Sequence, residues 1–322
     1  MSASVPVSIC LTTYNRAAVL RASIDSLLAQ SYGEFELIIS DDRSTDDTEA
    51  ICREYEARDS RVRYFRNAEN LKMPGNLNAA IGRASGTYVA NLHDGDVFRR
   101  DLIEKWKAAL DDAPAAAFVF NQYQSFDRHG RPRIDRSPHE RSRDAREIPL
   151  HFFRTFTSCV WGTVMARRSA YRTAGPFNPA YGFISDVDMW LRLARDHEVA
   201  YVAEPLITIT PREPQHPYAF VHWRVELWTF SIYVAHLEFY RDRLAAQVER
   251  YRASYPRRRR ERLVRNMLIC LKHRRWDRLR EGLAIWRDAD DRVLRALGHA
   301  LGRPSDRPEW YSAEWWQRAR CR

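Results

Sequence analysis

Val7-Ser-Ile-Cys-Leu-Thr-Thr-Tyr-Asn15 joins an apolar run to a polar end, and Phe35-Glu-Leu-Ile-Ile-Ser-Asp-Asp42 repeats that arrangement after a helical pattern from Ala17 to Ala29. Each apolar run has the length of a buried strand. Strands that alternate with helical segments are typical of βαβ units. The sequence therefore predicts an α/β fold with a mainly parallel sheet flanked by helices.

The same alternation continues through the first two thirds of the chain. Further elements are predicted as a helix at about 45–58 and strands at 62–65, 88–92 and 116–120. The polar clusters 12–15, 41–42 and 94–96 each follow a predicted strand. Ligands of parallel sheets bind beyond the carboxyl ends of the strands. We therefore expect these three clusters to meet at one edge of the sheet.

The last third of the chain has a different pattern. After Pro211 the strand signals stop, and aromatic residues and leucines recur at helical spacing, with a break expected at Tyr255–Arg260. We predict two domains, an α/β domain at residues 1–217 and a basic, tryptophan-rich α-helical extension at residues 218–322. Residues 129–146, rich in Arg, Pro and Ser, are expected to form an exposed loop.

Charge is unevenly distributed along the 322 residues, whose net charge is +10. Residues 211–322 hold 25 Lys and Arg against 14 Asp and Glu, and seven of the ten tryptophans. The near-neutral remainder argues against a nucleic-acid partner. Arginine beside interfacial aromatics suits an anionic membrane surface. A helical bundle with buried tryptophans and solvated arginines is the alternative.

The cysteines and apolar segments bear on location. The five cysteines are scattered without CxxC spacing, which fits a reducing cytoplasm. The N-terminus lacks the basic and long apolar regions of a signal peptide, and charged residues interrupt the apolar stretch 220–240. We expect a cytoplasmic protein, with peripheral attachment at the inner face of the membrane as a further hypothesis.

Asp94 and Asp96 are candidate metal ligands. They lie two residues apart after a predicted strand, on either side of Gly95. Carboxylates near an anionic diphosphate would repel it unless a divalent cation lay between them, and Mg²⁺ and Mn²⁺ prefer oxygen ligands. An acidic turn with a permissive glycine is the alternative. His216, in the loop 211–217, is a further candidate for the metal or the phosphates, or an ordinary loop histidine.

Asp41 and Asp42 lie before the helix predicted at 45–58. Helix capping explains Ser44 and its acidic neighbours further along, but it does not explain these two carboxylates. They are candidates for binding a base N–H or the ribose hydroxyls. Tyr14 is a candidate for stacking on the base, although a lone aromatic is more often simply packed.

The segment Ile184-Ser-Asp-Val-Asp-Met-Trp-Leu-Arg192 begins a predicted helix. Ser185 and Asp188 match a capping box, which gives Asp188 a structural explanation. Asp186 lies in the first turn, where the helix dipole favours its ionised form, and it is the candidate general base. Asp188 is the alternative base. Arg192 is either a salt-bridge partner or a solvated charge.

Together these blocks resemble the GT-A domain of inverting family 2 glycosyltransferases over about residues 5–210. The resemblance rests on the order of five blocks: Thr12-Thr-Tyr-Asn15, Asp41-Asp-Arg-Ser-Thr-Asp46, Asn70-Leu-Lys-Met-Pro-Gly-Asn-Leu-Asn78, His93-Asp-Gly-Asp96 and Ser185-Asp-Val-Asp188 with Trp190 and Arg192. It implies a GT-A catalytic domain that binds the nucleotide sugar. The nucleotide-binding residues so implied are Thr12, Tyr14, Asn15, Asp41, Asp42, Asn78 and Asp94. Asp94 and Asp96 would hold the metal, and Asp186 would be the base.

The implied activity is metal-dependent transfer of a sugar, with inversion, from a nucleotide diphosphate sugar to an acceptor hydroxyl. A UDP-sugar is the favoured donor, Mn²⁺ or Mg²⁺ the cofactor, and a glycan or glycolipid of the cell envelope the acceptor. Two alternatives remain, a sugar-nucleotide nucleotidyltransferase and a non-catalytic nucleotide-sugar-binding module. The first would need no late helix-start aspartate, and no glycine-rich loop with lysine follows the first strand.

Overall fold

A computed structural model describes residues 5–127, 130–135, 145–160, 162–210 and 223–283. The chain divides into two compact units. The first contains Met1–Pro149 and Ser158–Glu213, and the second contains Leu150–Thr157 and Pro214–Arg322. The short segment Leu150–Thr157 therefore belongs to the second unit although residues of the first unit flank it on both sides.

The first unit is built around a nine-stranded sheet. Its strands are β1 Val7–Thr13, β2 Phe35–Asp41, β3 Val62–Arg66, β4 Tyr88–His93, β5 Val97–Phe98, β6 Ala116–Phe126, β7 Pro132–Asp135, β8 Val164–Arg167 and β9 Glu198–Thr208. They follow the order β3-β2-β1-β4-β8-β6-β9-β5, and β7 pairs with β6. This α/β architecture confirms the predicted fold class.

Parallel and antiparallel pairing divide the sheet. Strands β3, β2, β1 and β4 are parallel neighbours, and β6 is parallel to β9. Strand β8 is antiparallel to both β4 and β6, so it joins the two parallel groups. The sheet is thus mixed, and its parallel character is concentrated in the half formed by the first four strands. The prediction of a loop at 129–146 was wrong at β7, which pairs with β6 in an antiparallel register.

The helices of the first unit are α1 Ala17–Leu28, α2 Thr48–Arg58, α3 Lys72–Arg83, α4 Leu102–Asp111, α6 Arg168–Ala174 and α7 Ser185–Asp196, with a 3₁₀ helix at Pro179–Ile184. Most of α5, Glu147–Thr155, lies in the segment of the second unit. In α1 the buried residues Leu20, Ile24 and Leu27 recur at helical spacing and face the core. All seven residues of β2 are buried, as expected for a strand covered on both faces. This packing fixes the ends of the strands, where the candidate site lies.

The second unit contains α8 Trp223–Phe239 and α9 Ala245–Lys272. Its core stacks Phe156, Tyr233 and Tyr255, with successive ring centroids 4.7 Å and 4.9 Å apart. The expected break at Tyr255–Arg260 was wrong, because α9 continues through Pro256. The chain turns instead between α8 and α9. Tyr255 is buried in the stack, and this packing holds the helix across the proline.

Within the residues that the structure describes, every helix is too short or too polar to span a bilayer.

Candidate functional site

Three parallel strands bring the predicted clusters to one edge of the sheet. Thr12 pairs with Ser40 on β2 and with His93 on β4. Thr13 pairs with Asp41, the last residue of β2. The ends of β1, β2 and β4 are therefore neighbours, as the sequence predicted for a parallel sheet.

Asp41 is fully buried and its carboxylate is bound by the protein. Oδ1 accepts hydrogen bonds from Ser44 N at 2.9 Å and from Ser44 Oγ at 2.6 Å, and Oδ2 accepts one from Tyr64 Oη at 2.7 Å. Burial and the neighbouring Asp41 carboxylate raise the pKa of Tyr64, so the phenol stays a donor. Asp41 shapes the turn after β2, and its role toward a nucleotide stays a prediction.

Asp42 holds the loop before α3. Its Oδ1 accepts hydrogen bonds from Leu71 N at 2.7 Å and Asn67 Nδ2 at 3.1 Å, and its Oδ2 accepts one from Lys72 N at 2.8 Å. Lys72 has a φ of 58°, a backbone conformation that residues other than glycine seldom adopt. The three bonds to Asp42 stabilise that conformation and fix where the loop passes the strand ends.

The residues after β1 form a second turn against the first. Asn15 N donates to Ser44 Oγ at 2.9 Å, and Asn15 Oδ1 accepts from Thr45 N at 2.7 Å. Ser44 therefore links two loops and does not cap α2, whose N-cap is Asp47. Thr12 is half-buried, whereas the Tyr14 ring is 46% exposed at this edge and is accessible for stacking.

Asn78 lies on α3 and binds the backbone of Phe177 with both parts of its amide. Nδ2 donates to Phe177 O at 2.9 Å, and Oδ1 accepts from Phe177 N at 2.8 Å. The structure thus gives Asn78 a part in holding the segment before Pro179–Ile184. Its predicted contact with the nucleotide stays a prediction.

The turn Asp94-Gly-Asp96 is held against α1. Ser23 Oγ accepts a hydrogen bond from Gly95 N at 2.9 Å and donates one to Asp96 O at 2.7 Å. Gly95 has a φ of 83°, which favours glycine. Arg16 Nε lies 3.7 Å from Asp94 Oδ1. One fixed turn that carries two carboxylates therefore follows the end of β4.

These two carboxylates fit the protein's share of a Mg²⁺ or Mn²⁺ site that a diphosphate completes, because such sites commonly use one or two carboxylates. Their side chains are largely buried, with Asp94 14% and Asp96 6% exposed. The described part of the chain holds no cluster of three or more His, Cys, Asp or Glu side chains that would bind a metal without a substrate. His216 lies outside the described residues.

The start of α7 differs from the predicted capping box. Ser185 is the first helical residue, and Ile184 is the N-cap without a side-chain cap. Within the described structure the buried Ser185 Oγ has no hydrogen-bond partner. Asp188 instead accepts a bond from Arg192 Nε at 2.9 Å and pairs with Nη2 at 2.8 Å. The capping prediction was wrong, and of the two readings of Arg192 the salt bridge is correct.

Asp186 is partly buried at the same helix start. Its Oδ1 accepts a hydrogen bond from Val187 N at 2.8 Å. Burial raises the pKa of Asp186 to about 7, although this hydrogen bond lowers it. Desolvation therefore outweighs the helix dipole that was expected to favour the charged form. A carboxylate with a pKa near neutrality is a better proton acceptor than one with an ordinary pKa.

Gly162 lies close to both Asp186 and His93. An ideal Cβ on Gly162 would be 2.7 Å from His93 Cε1, 2.9 Å from His93 Nε2 and 3.4 Å from Asp186 Oδ2. His93 immediately precedes Asp94 in the chain. The candidate base and the residue that precedes the candidate metal turn therefore both lie close to one glycine.

No sequence pattern identified His93, Gly162 or Asn91 as site residues. Asn91 Nδ2 donates to Gly162 O at 2.6 Å across 71 positions of sequence. His93 stands inside a block that was recognised, so its position there was the available signal. No spacing connects Gly162 to the other blocks, because the antiparallel pairing of β8 with β4 brings it to the site.

Comparisons with known proteins agree with this architecture. The sequence pattern of glycosyl transferase family 2 matches residues 8–175. TuaG of Bacillus subtilis (strain 168), named as a teichuronic acid biosynthesis glycosyltransferase, is 31% identical over 195 residues, which are 61% of this chain and 74% of TuaG.

Two solved structures share the fold. Staphylococcus aureus TarS 1–349 in complex with UDP-GlcNAc has a TM-score of 0.56 and 16% identity, and the match covers 88% of this chain and 92% of TarS 1–349. The mannosyltransferase PcManGT of Pyrobaculum calidifontis, in complex with GDP-Man and Mn²⁺, has a TM-score of 0.55 and 16% identity, over 98% of this chain and 85% of its own. At such identities the likeness concerns the fold.

Proposed function

The chain belongs to glycosyl transferase family 2, and we propose that this glycosyltransferase transfers a sugar from a nucleotide diphosphate sugar to an acceptor hydroxyl with inversion at the anomeric carbon. The observation that carries the proposal is the position of Asp186. A base with a pKa of about 7 and His93, which adjoins the turn of Asp94 and Asp96, both lie close to Gly162. Inversion needs one base on the acceptor side and charge stabilisation on the leaving-group side.

In this mechanism Asp186 accepts the proton of the acceptor hydroxyl as the hydroxyl oxygen attacks the anomeric carbon. The bond from that carbon to the diphosphate oxygen breaks in line with the attack. Asp94 and Asp96 would hold Mn²⁺ or Mg²⁺, which neutralises the departing diphosphate when bound. The Val187 N–H keeps the Asp186 carboxylate oriented, because its hydrogen bond to Oδ1 leaves the other oxygen to receive the proton.

The donor is held at the edge formed by β1, β2 and β4. Tyr14 is exposed there for stacking on the base, with Thr12 and Asn15 on the same segment. Asp41 and Asp42 shape the two loops that border this edge. A UDP-sugar is the favoured donor, supported by the likeness to TarS bound to UDP-GlcNAc, while PcManGT with GDP-Man makes a GDP-sugar the first competitor.

The acceptor is proposed to be a glycan or glycolipid of the cell envelope, reached at an anionic membrane surface. The last turns of α9 and the residues just after it support this, because Leu268 and Trp276 are 59% and 57% exposed and the cations between them, Lys272 and Arg274, are exposed as well. Apolar side chains beside cations suit the boundary of an anionic bilayer. The similarity to TuaG also supports a cell-envelope polymer.

The test is turnover of a panel of UDP- and GDP-sugars with Mn²⁺, with the released nucleotide and the product anomer identified. Release of a nucleoside diphosphate together with inverted product supports the proposal. Release of pyrophosphate would indicate a nucleotidyltransferase instead. Binding of a donor without any turnover would indicate a non-catalytic nucleotide-sugar-binding module.

A further inference from the structure

We propose that Gly162 is a positioning residue, whose lack of a side chain sets the distance between the Asp186 carboxylate and the His93 imidazole. The proposal rests on the function above, in which Asp186 is the base. It adds that the size of residue 162 controls the rate of transfer. No spacing in the sequence assigns Gly162 a role.

The first support is steric. A Cβ on Gly162 would come within 2.7 Å and 2.9 Å of two atoms of the His93 ring, closer than carbon atoms pack. It would also lie 3.4 Å from Asp186 Oδ2. A methyl group therefore fits only if the imidazole, the carboxylate or the backbone at 162 moves.

The second support is that the backbone at 162 is fixed. Asn91, which is 1% exposed, donates to Gly162 O at 2.6 Å. Asn91 itself lies within β4 and pairs with Val164 of β8. A shift of Gly162 would break this buried bond or disturb the pairing of the two strands, so strain from a side chain falls on His93 and Asp186.

The third support is that conformation does not require glycine here. The glycines with positive φ are Gly95, Gly130, Gly175 and Gly182 among the described residues, and Gly162 is not one of them. Alanine is therefore compatible with the backbone at 162, and its effect comes from the added methyl group. This separates Gly162 from Gly95, whose φ of 83° disfavours a side chain in any case.

The experiment compares Gly162→Ala with the wild type and with Gly33→Ala, where a Cβ would meet nothing within 4 Å. We expect Gly162→Ala to lower kcat about 10²-fold, the scale of a misplacement of about 1 Å. The KM for the donor and the melting temperature should change little. A general structural defect would instead lower the melting temperature as well. Gly33→Ala should match the wild type in all three.

A double-mutant cycle with His93→Ala identifies the partner. His93→Ala removes the ring atoms that the new methyl group would meet, so Gly162→Ala should lower kcat by no more than about threefold in that background. The same penalty in both backgrounds, or wild-type turnover by Gly162→Ala alone, overturns the inference.

Crystal structures of the wild type and of Gly162→Ala separate this inference from the proposed function. If the wild type transfers no sugar from any donor, the proposed function fails. The inference is then judged on geometry alone. A displaced Asp186 carboxylate or His93 ring in Gly162→Ala supports it, and unchanged positions of both side chains overturn it.

Discussion

Asp188 and Arg192 form a buried ion pair within α7, with the Asp188 carboxylate 2.8 Å from Arg192 Nη2 and the two side chains only 1% and 6% exposed. Arg192 also donates to the carbonyl oxygens of Ala174 and Pro176. Arg192, held by Asp188, therefore ties the helix to the end of α6. This pairing leaves Asp186 as the carboxylate of the helix start that is suited to proton transfer.

Asp188→Asn should lower stability and leave the chemistry largely intact. Removing one partner of a buried ion pair leaves the other uncompensated, at a cost of roughly 3–5 kcal/mol. This exceeds the small loss expected for a capping residue, because the structure replaces the capping box with the ion pair. Thermal unfolding and sugar transfer well below the melting temperature measure the two effects.

Asp186→Asn should instead lower the rate of sugar transfer. Asparagine keeps the shape of the side chain and removes its basicity, so kcat should fall by about 10²–10⁴-fold. The affinity for the donor, measured by titration calorimetry, should be nearly unchanged, since the interaction is made mainly in the transition state. Normal transfer by Asp186→Asn together with an inactive but folded Asp188→Asn would show that Asp188, and not Asp186, is the base.

The raised pKa of Asp186 predicts a pH dependence of both rate and stability. Asp186 acts as a base only when ionised, so kcat/KM should fall about tenfold per pH unit below about 7 and level off above it. A raised pKa in the folded state means that the contribution of this group to stability is lost as pH rises through about 7. The melting temperature of Asp186→Asn relative to the wild type should therefore be higher at pH 8 than at pH 4. A flat profile from pH 5 to 8 argues against Asp186 as the base.

The turn of Asp94 and Asp96 predicts metal dependence. Excess EDTA should abolish transfer, and Mn²⁺ or Mg²⁺ should restore it. Asp96→Ala should lower kcat/KM by about 10²-fold or more, because the diphosphate then loses its counter-charge. Asp112→Ala, which removes an exposed carboxylate at the end of α4, is the matched control. In a thermal-shift assay with UDP, only Asp96→Ala should lose the added effect of Mn²⁺.

The exposed end of α9 predicts binding to anionic vesicles. Each basic residue near such a surface contributes about 1 kcal/mol, and buried apolar side chains add to it. The double variant Leu268→Ser with Trp276→Ser should co-sediment less than the wild type at low salt. Ile134→Ser, which removes an exposed apolar side chain from β7 of the first unit, should behave as the wild type. Failure of the wild type itself to co-sediment would remove the membrane proposal.

The sequence predicted the elements with strong periodicity and the edge at which they end. Buried strands such as β1 and β2 could be predicted because each is a short apolar run followed by polar residues. A salt bridge of Arg192 was one of two open readings, but Asp188 was assigned to a capping box and not to this pair, since sequence spacing alone does not separate a cap from an ion pair. His93 and Gly162 meet through antiparallel pairing of distant strands, and no local pattern encodes such a contact.

Leu150–Thr157 carries a consequence for how this protein can be divided or recombined. Phe153 within it is fully buried, and its ring lies 5.3 Å from that of Tyr233 in α8. Arg258 of α9 donates to the Phe153 carbonyl oxygen. A truncation after residue 213 would remove these partners but keep the aromatic segment, whose apolar side chains would then be exposed and prone to aggregation. The second unit therefore consists of two pieces of sequence, and an exchange of this unit between relatives would have to carry both pieces together.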